Sequence, residues 1–439
     1  FFFFQAEGGI RDRGPSRGPG DVYKSPPPPP PPLPPFPFRL PMLPNWLRPH
    51  RPRPLLLLIG TYRERLPHVS GQADGVYVLL LERGSLTPLV RSPLHAVPQL
   101  RAALNPSWLC CWRDAAGQLF AYVADERTDH GLLFAASVDE HTGELTQLGP
   151  PVSAGGAGTC HCAVAPGGRH LLAANYGSGM VIAVERHADG SLGRCASLVQ
   201  LPPKGVLVNT PIGKCELFIR FPRVNAARQE GAHAHQVLFT PRRPTSHARE
   251  GEEAYTVCVP DLGSDVVWAL EYEPTASDVL RPSAATAFHG GVLDGGGPRH
   301  MALHPDPRVH VAYVAYELTS QVASYAVDPV TGQLTGGPLP PGPVCVLDDT
   351  GSIAKTELSA AFGAEGAATR ARCGKLVQRP SGGAACCSDA DTSVAAIRVS
   401  PTGSHVFVSS RVVNGDGAIS AISLDEKGRL IPPSACAPV

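Results

Sequence analysis

The chain has 439 residues, of which 17% are charged and 43% hydrophobic, with 46 glycines and 47 prolines. This composition is typical of a β protein rich in turns and excludes a coiled coil. The 38 basic and 38 acidic residues give a formal net charge of zero, so the chain as a whole carries no excess positive charge that would attract nucleic acid or an anionic membrane surface. No run reaches the roughly 18 apolar residues of a transmembrane helix. Twelve cysteines spread over this length indicate free thiols in a reducing compartment, so we expect a soluble, cytoplasmic protein.

The N-terminal 54 residues form a separate region by composition. They hold 17 of the 47 prolines and eight basic against three acidic side chains, a mixture that can adopt polyproline II but cannot build a core. We therefore predict a disordered segment at 1–54 and a folded domain at 55–439. The basic character leaves organellar targeting open, although the segment has only two serines. Because the chain opens with Phe1 rather than Met, we expect it to be a fragment.

A repeat begins at Leu55. Its most regular copy runs from Ala165 to Leu192 and contains a Pro-Gly turn, two alternating strands and a closing Gly-x-Leu. A unit of about 45 to 60 residues with several short strands is typical of a propeller blade. Six blades are predicted, at 55–86, 105–145, 159–192, 235–280, 299–334 and 395–430.

Two features interrupt this pattern. An Ala/Gly/Cys-rich stretch at 340–392 is predicted to be an inserted surface loop, with room for one short helix. Only nine residues follow Leu430, which is too few for the strands of another blade, so we expect a truncated C-terminal blade. Trp-Asp dipeptides are absent from the sequence, which argues against a WD40 scaffold.

Polar and ionisable residues recur at equivalent places in successive blades. They precede the first strand at Cys160-His161, at His233 and His235, and at Arg299-His300, and they follow the second strand at Asp125-Glu126, Asn175-Tyr176, Asp261, Tyr316-Glu317 and Ser410-Arg411. Hydrolysis of a lactone or ester needs a base that activates water and a cation or donor array that holds the oxyanion. Propellers gather such groups at one mouth of the central channel, so we expect a site there.

At these positions the chain resembles the lactonase family of seven-bladed β-propellers, which includes the propeller type of 6-phosphogluconolactonase and the carboxymuconate lactonising enzyme. The matching stretches follow the family's order and are Ile-Gly-Thr-Tyr at 59–62, Asn-Pro-Ser-Trp-Leu at 105–109, Ala-Asn-Tyr-Gly-Ser at 174–178, Gln-Glu-Gly-Ala-His-Ala-His at 229–235, Pro-Asp-Leu-Gly-Ser-Asp at 260–265, Gly-Pro-Arg-His at 297–300 and Val-Ser-Ser-Arg at 408–411. The resemblance implies an all-β, seven-bladed propeller, of which about six blades are present.

The resemblance also implies the site residues: His235 or His233, Arg299, Glu317 and Arg411, without a cofactor or a metal. In two places the chain departs from the family pattern, because Tyr316 and Ser410 stand where the family usually has Asn. The ionisable neighbour is kept in both cases. The implied activity is hydrolysis of a sugar-derived lactone, 6-phosphogluconolactone in carbohydrate metabolism, with a small anionic lactone as the partner and neither nucleic acid nor membrane involved.

Other interpretations of these residues stay open. The enzyme could instead cyclise carboxy-cis,cis-muconate, since arginine binds carboxylate and phosphate through the same fork, or the propeller could be a non-catalytic scaffold. A His-x-His pair such as His233 and His235 can ligate zinc, although the Asp-His that follows it in metallo-hydrolases is missing. The arginines could simply bridge loops. Cys160 indicates a packing position rather than a thiol nucleophile.

Overall fold

The computed structural model describes residues 55–66, 69–71, 73, 75–82, 85–88, 103–202, 208–210, 213–215, 228–242, 254–288, 295–346, 392–412 and 418–432. The predicted N-terminal segment and residues 347–391 of the predicted insertion lie outside the described residues. Within the described ranges every regular element is a β-strand. That part of the chain contains no helix of the length and hydrophobicity needed to cross a membrane.

Six sheets of three to five strands follow one another among the described residues, and we call them blades 1 to 6. Blade 1 contains β1 (Leu55–Gly60), β4 (Val76–Glu82) and β5 (Ser85–Pro88), with the hairpin β2 (Arg65–Leu66) and β3 (Val69–Ser70) inserted. Blade 2 contains β6 (Pro106–Arg113), β7 (Leu119–Asp125), β8 (Leu132–Val138), β9 (Leu145–Gln147) and β10 (Val152–Ser153). Blade 3 contains β11 (Thr159–Val164), β12 (His170–Asn175), β13 (Met180–Arg186) and β14 (Leu192–Gln200).

The second half repeats this arrangement after the hairpin β15 (Val208–Thr210) and β16 (Gly213–Cys215). Blade 4 contains β17 (Leu238–Arg242), β18 (Ala254–Asp261), β19 (Val266–Tyr272) and β20 (Leu280–Phe288). Blade 5 contains β21 (Pro298–Leu303), β22 (Val311–Tyr316), β23 (Gln321–Val327), β24 (Leu334–Thr335) and β25 (Val344–Cys345). Blade 6 contains β26 (Thr392–Val399), β27 (His405–Val412) and β28 (Ala418–Ser423).

Each blade is an antiparallel meander that packs face to face on the next one. The second strand is buried along its whole length in blades 2, 3 and 5, because neighbouring blades cover both of its faces. The described hydrophobic clusters accordingly lie between consecutive blades. Leu171 and Tyr122, for example, share one cluster between blades 2 and 3. Full burial of a leucine contributes roughly 1.5 to 3 kcal/mol, so the inter-blade layers hold the array together.

The all-β propeller predicted from the repeat is confirmed, and its six visible blades correspond to the six larger sheets. The blades extend further along the chain than the sequence predicts. The Gly-x-Leu motif does not close a blade, because Leu192, Leu145 and Leu334 each open a further, outer strand. Outer strands escape a pattern of alternating apolar residues because solvent covers much of them, as the mixed burial of β14 shows. Likewise β25 lies inside the range 340–392 that was predicted as inserted loop.

First strands of neighbouring blades touch one another, as β6 does with β11 and β21 with β26. These strands are therefore the innermost ones, nearest the axis of the array. Residues at their beginnings and at the ends of the second strands meet on the same side. The candidate site is built there.

Candidate active site

A β-bulge at the same place in blades 3 and 5 aims one side chain of each toward this centre. The pairing of first and second strands shifts between Thr159 and His161 in blade 3 and between Pro298 and His300 in blade 5. The extra residues are Cys160 and Arg299. A bulge of this kind re-aims the side chain of its extra residue and is common beside active sites. In blade 4, His235 holds the same place, because it follows Ala234, which bridges Asp261 as Thr159 pairs with Asn175.

The ends of the second strands are equivalent as well. In blades 2 to 6, the same pairing position at the end of the second strand holds, in that order, Asp125, Asn175, Asp261, Tyr316 and Ser410. The next residue in blades 5 and 6 is Glu317 and Arg411. The structure therefore brings together side chains from blades 3 to 6 that the sequence places at matching positions of its repeat.

Glu317 is the centre of this group. Its Oε2 lies 2.8 Å from Nε of Arg299, and its Oε1 lies 2.9 Å from an Nη of Arg411 and 2.8 Å from an Nη of Arg228. The Glu317 side chain is 1% exposed. Burial without partners would make this charge costly, and three guanidinium groups supply the compensation.

The cluster of Glu317, Arg228, Arg299 and Arg411 has a net charge of +2, since three guanidinium groups surround one carboxylate. Burial by itself raises the pKa of Glu317, but the charges of Arg411, Arg299 and Arg228 outweigh it and hold that pKa well below its usual range. Glu317 is consequently ionised at neutral pH and has no proton to donate. The excess positive charge suits an anionic ligand.

His235 lies beside this cluster. Its Nε2 is 4.0 Å from Oε2 of Glu317, and its Nδ1 is 3.6 Å from Sγ of Cys160. Burial, assisted by the positive charge of Arg299, lowers the pKa of His235 well below its ordinary value. Its side chain keeps 9% of its surface exposed against 1% for Glu317. The imidazole is therefore neutral and is the group of this pair that solvent can reach.

His233 points elsewhere. Its Nδ1 lies 2.8 Å from the backbone carbonyl of Tyr176 and its Nε2 lies 3.0 Å from Oε1 of Glu230. Its ring stacks on that of Tyr176 with centroids 4.3 Å apart. Both of its nitrogens face acceptors, so His233 is not placed to take a proton from a substrate. The geometry favours His235 over His233 as the candidate base.

Arg228 also belongs to the cluster, although it is not among the residues predicted from the sequence. Besides its ion pair with Glu317, its Nε donates to Oη of Tyr176 at 3.0 Å, and its guanidinium lies 5.7 Å from the centre of that ring. Its side chain is 40% exposed, against 28% for Arg411 and 3% for Arg299. The available signal was its position directly before the matched stretch 229–235.

Asp261 has a structural part in the same region. Its Oδ1 accepts the backbone N–H groups of His233 at 2.6 Å and Ser264 at 3.0 Å, and its Oδ2 accepts Nε1–H of Trp268 at 2.9 Å. These three hydrogen bonds fix the segment that carries His233 and His235. Asp261 is fully buried, so its carboxylate does not reach a substrate.

The residues present do not fit a metal ion at this site. Guanidinium groups surround Glu317 and would repel a cation, and His233 and His235 turn toward different partners. Over the part of the chain that the structure describes, no group of three or more His, Cys, Asp or Glu residues has a ligating arrangement.

Comparison with known proteins adds named relatives. The chain is 28% identical over 276 residues to the 6-phosphogluconolactonase of Bacillus subtilis (strain 168), which is 63% of this chain and 63% of that protein. It is 26% identical over 229 residues to the probable 6-phosphogluconolactonase of Arthroderma benhamiae, which is 51% of this chain and 47% of that protein. The chain thus spans less than two thirds of the length of these curated relatives.

Solved structures share the fold. A putative 6-phosphogluconolactonase from Bacteroides fragilis superposes with a TM-score of 0.58 at 20% identity, over 86% of this chain and 80% of that one. The periplasmic gluconolactonase of Pseudomonas aeruginosa gives a TM-score of 0.56 at 20% identity, over 86% and 81%. A family model described as lactonase, 7-bladed beta-propeller, matches residues 56–338. The chain therefore belongs to the lactonase family of seven-bladed β-propellers.

Proposed function

We propose that this protein hydrolyses a sugar-derived lactone, 6-phosphogluconolactone, to the open-chain acid at the Glu317 cluster. The observation that carries the proposal is the combination of an excess of two positive charges with a neutral imidazole, His235, beside them. Such a pairing provides an anion-binding surface and a proton acceptor in one place. The names of the relatives agree with this substrate.

In this mechanism His235 activates water. Its Nε2 takes a proton from the water as the oxygen attacks the lactone carbonyl carbon, and Glu317 at 4.0 Å stabilises the imidazolium that forms. The ring C–O bond of the tetrahedral intermediate then breaks, and the leaving alkoxide takes the proton back from His235. A carboxylic acid and a hydroxyl are formed, and the acid then releases its proton to solvent to leave a carboxylate, so the catalyst is regenerated without a cofactor.

The three arginines differ in solvent exposure, and we assign their roles on that basis. Arg228 and Arg411 keep 40% and 28% of their side-chain surface open, so they are placed to grip the phosphate and the developing oxyanion. The resemblance to the lactonase family implies a place in the site for Arg411 and for Arg299 alike. Because Arg299 is only 3% exposed, we assign it an indirect part, which is to orient Glu317 and to keep His235 unprotonated.

Cyclisation of carboxy-cis,cis-muconate is the alternative activity, and the same arginines support it because they bind carboxylates through the same fork. A purified-protein assay separates the two. Lactone hydrolysis releases acid, which a pH-stat records, whereas cyclisation removes the ultraviolet absorbance of a conjugated diene. We expect acid release from 6-phosphogluconolactone and a stable diene signal from the muconate. The reverse result would replace the lactonase proposal, and inactivity on both would favour a scaffold.

We also propose a cytoplasmic location. Seven cysteines of the described ranges, Cys160 and Cys258 among them, are free thiols, and Cys110 and Cys162 remain unbonded with their sulfurs 3.7 Å apart. Such thiols persist in a reducing compartment. Cell fractionation tests this, and recovery of the protein in an organelle or outside the cell would contradict it.

A further inference from the structure

Cys160 is a buried thiol that the proposed mechanism does not use. Cys160 is the extra residue of the bulge in blade 3, so its side chain leaves the pattern of its own strand and reaches blade 4. There Sγ lies 3.5 Å from the carbonyl oxygen of Ala234, 3.6 Å from that of His235 and 3.6 Å from Nδ1 of His235. Both the backbone and the ring of the candidate base thus meet one sulfur atom.

The sulfur at this position is a thiol and not a nucleophilic thiolate. Burial, followed by the negative charge of Glu126, raises the pKa of Cys160 far above its usual value. The residue is 7% exposed, and the carbonyl oxygens around it would disfavour a negative charge. A thiol has one hydrogen to donate and lone pairs that accept weakly.

The neighbours of Cys160 decide how these are used. The carbonyl oxygens of Ala234, His235 and Ala174 lie 3.5 to 3.8 Å from the sulfur and can only accept, so we assign the S–H to one of them. The lone pairs of sulfur then face Nδ1 of His235, which must carry the hydrogen if the two atoms are to attract one another. In a neutral imidazole this leaves Nε2 with its lone pair free.

We propose that Cys160 is a positioning residue that holds His235 in the tautomer protonated at Nδ1, with Nε2 left free to accept a proton. The bulge is the structural device that makes this contact between blades 3 and 4. The kinetic consequence rests on the proposed lactone hydrolysis, because only that reaction uses Nε2 as a base. The tautomer itself is a property of the folded protein and does not depend on the substrate.

Nitrogen-15 NMR of the full chain with labelled histidine tests the tautomer directly, since protonated and unprotonated ring nitrogens have different chemical shifts. The signals of His235 are identified by their loss in His235→Gln. At pH 7.5 we expect a protonated Nδ1 and an unprotonated Nε2 in the wild type and in Cys160→Ser. In Cys160→Ala we expect a mixture of tautomers. The kcat for the lactone should fall about fivefold with KM unchanged, because losing a net hydrogen-bond contribution of about 1 kcal/mol changes the ratio of the two tautomers about fivefold.

Cys162→Ala is the matched control. Cys162 lies two residues along the same strand and is fully buried, but its sulfur faces Cys110 and the carbonyl of Tyr122. The control should lose stability and leave the signals of His235 and kcat unchanged. If Cys160→Ala fails to fold, the spectra of the wild type and Cys160→Ser still decide the tautomer.

Two results would overturn the inference. One is a wild-type spectrum with the proton on Nε2, which would mean that the thiol donates to Nδ1. The other is a folded Cys160→Ala variant with unchanged signals and unchanged kcat. Absence of lactone turnover together with a protonated Nδ1 would remove the proposed function and leave the positioning contact standing, so the two failures are distinguishable.

Discussion

Replacement of Glu317 by glutamine should destabilise the protein strongly although the two side chains have nearly the same shape. The substitution raises the net charge of the cluster from +2 to +3, because the three guanidinium groups remain and the carboxylate is lost. Arg299 suffers the largest loss of charge compensation, because its side chain is 3% exposed and water cannot solvate the guanidinium. Removing one partner of a buried ion pair costs about 3 to 5 kcal/mol, and we expect the free energy of unfolding to fall by that amount.

Urea unfolding at pH 7.5 measures this loss, with Glu140→Gln as the matched control. Glu140 also pairs with an arginine, Arg113, at 2.6 Å, but both side chains are more than 40% exposed. Water screens such a pair, so the control should unfold at the wild-type urea concentration.

Added phosphate should partly rescue Glu317→Gln, because the anion replaces the missing charge. At a phosphate concentration 100 times its dissociation constant the gain is about 2.7 kcal/mol. The reasoning would be refuted if Glu317→Gln unfolded at the same urea concentration as Glu140→Gln, or if phosphate stabilised the control and the variant equally.

Three further results are expected. The folding stability should fall as the pH drops below about 6.5, because burial, aided by neighbouring arginines, lowers the pKa of His161, His235 and His300 in the folded state while the unfolded chain takes up their protons. Each histidine lowers the free energy of unfolding by up to about 1.4 kcal/mol per pH unit below 6.5, hence roughly 4 kcal/mol for three. Equal urea midpoints at pH 7.5 and 5.5 would disprove this pH dependence. Arg228→Met should raise KM for 6-phosphogluconolactone about tenfold and leave KM for the unphosphorylated lactone nearly unchanged, which initial-rate kinetics on both substrates will show; equal effects would mean that Arg228 does not hold the phosphate. Turnover should survive EDTA, and a loss of activity that zinc or calcium restores would contradict the metal-free mechanism.

The blade repeat was readable from the sequence because each blade uses the same local chemistry. Glycine and proline turns mark the strand ends, and the buried second strands appear as apolar runs such as the one in β12. Equivalent positions in that repeat made Glu317, Arg411, Arg299 and His235 candidates, and the resemblance to the lactonase family singled them out. The structure places the other three side chains within 4.0 Å of the Glu317 carboxylate.

The missed features have physical reasons. A bulge adds one residue to one strand without changing the residue types around it, so the contact of Cys160 with His235 in the next blade could not be predicted from the strand pattern. Arg228 lies outside the described strands, so the strand repeat does not point to it. The choice between His233 and His235 depended on their partners across the site, Tyr176 and Glu317, which spacing along the chain cannot specify.

The most direct test of the proposed site is the initial rate of 6-phosphogluconolactone hydrolysis by the wild type and by His235→Gln, followed by pH-stat and corrected for the uncatalysed reaction. Removal of a general base lowers the rate by a factor of about 10² to 10⁴. We predict acid release well above background for the wild type and at least a hundredfold loss for a folded His235→Gln. Equal rates for the two proteins, or a wild-type rate no higher than background, would contradict the proposed site.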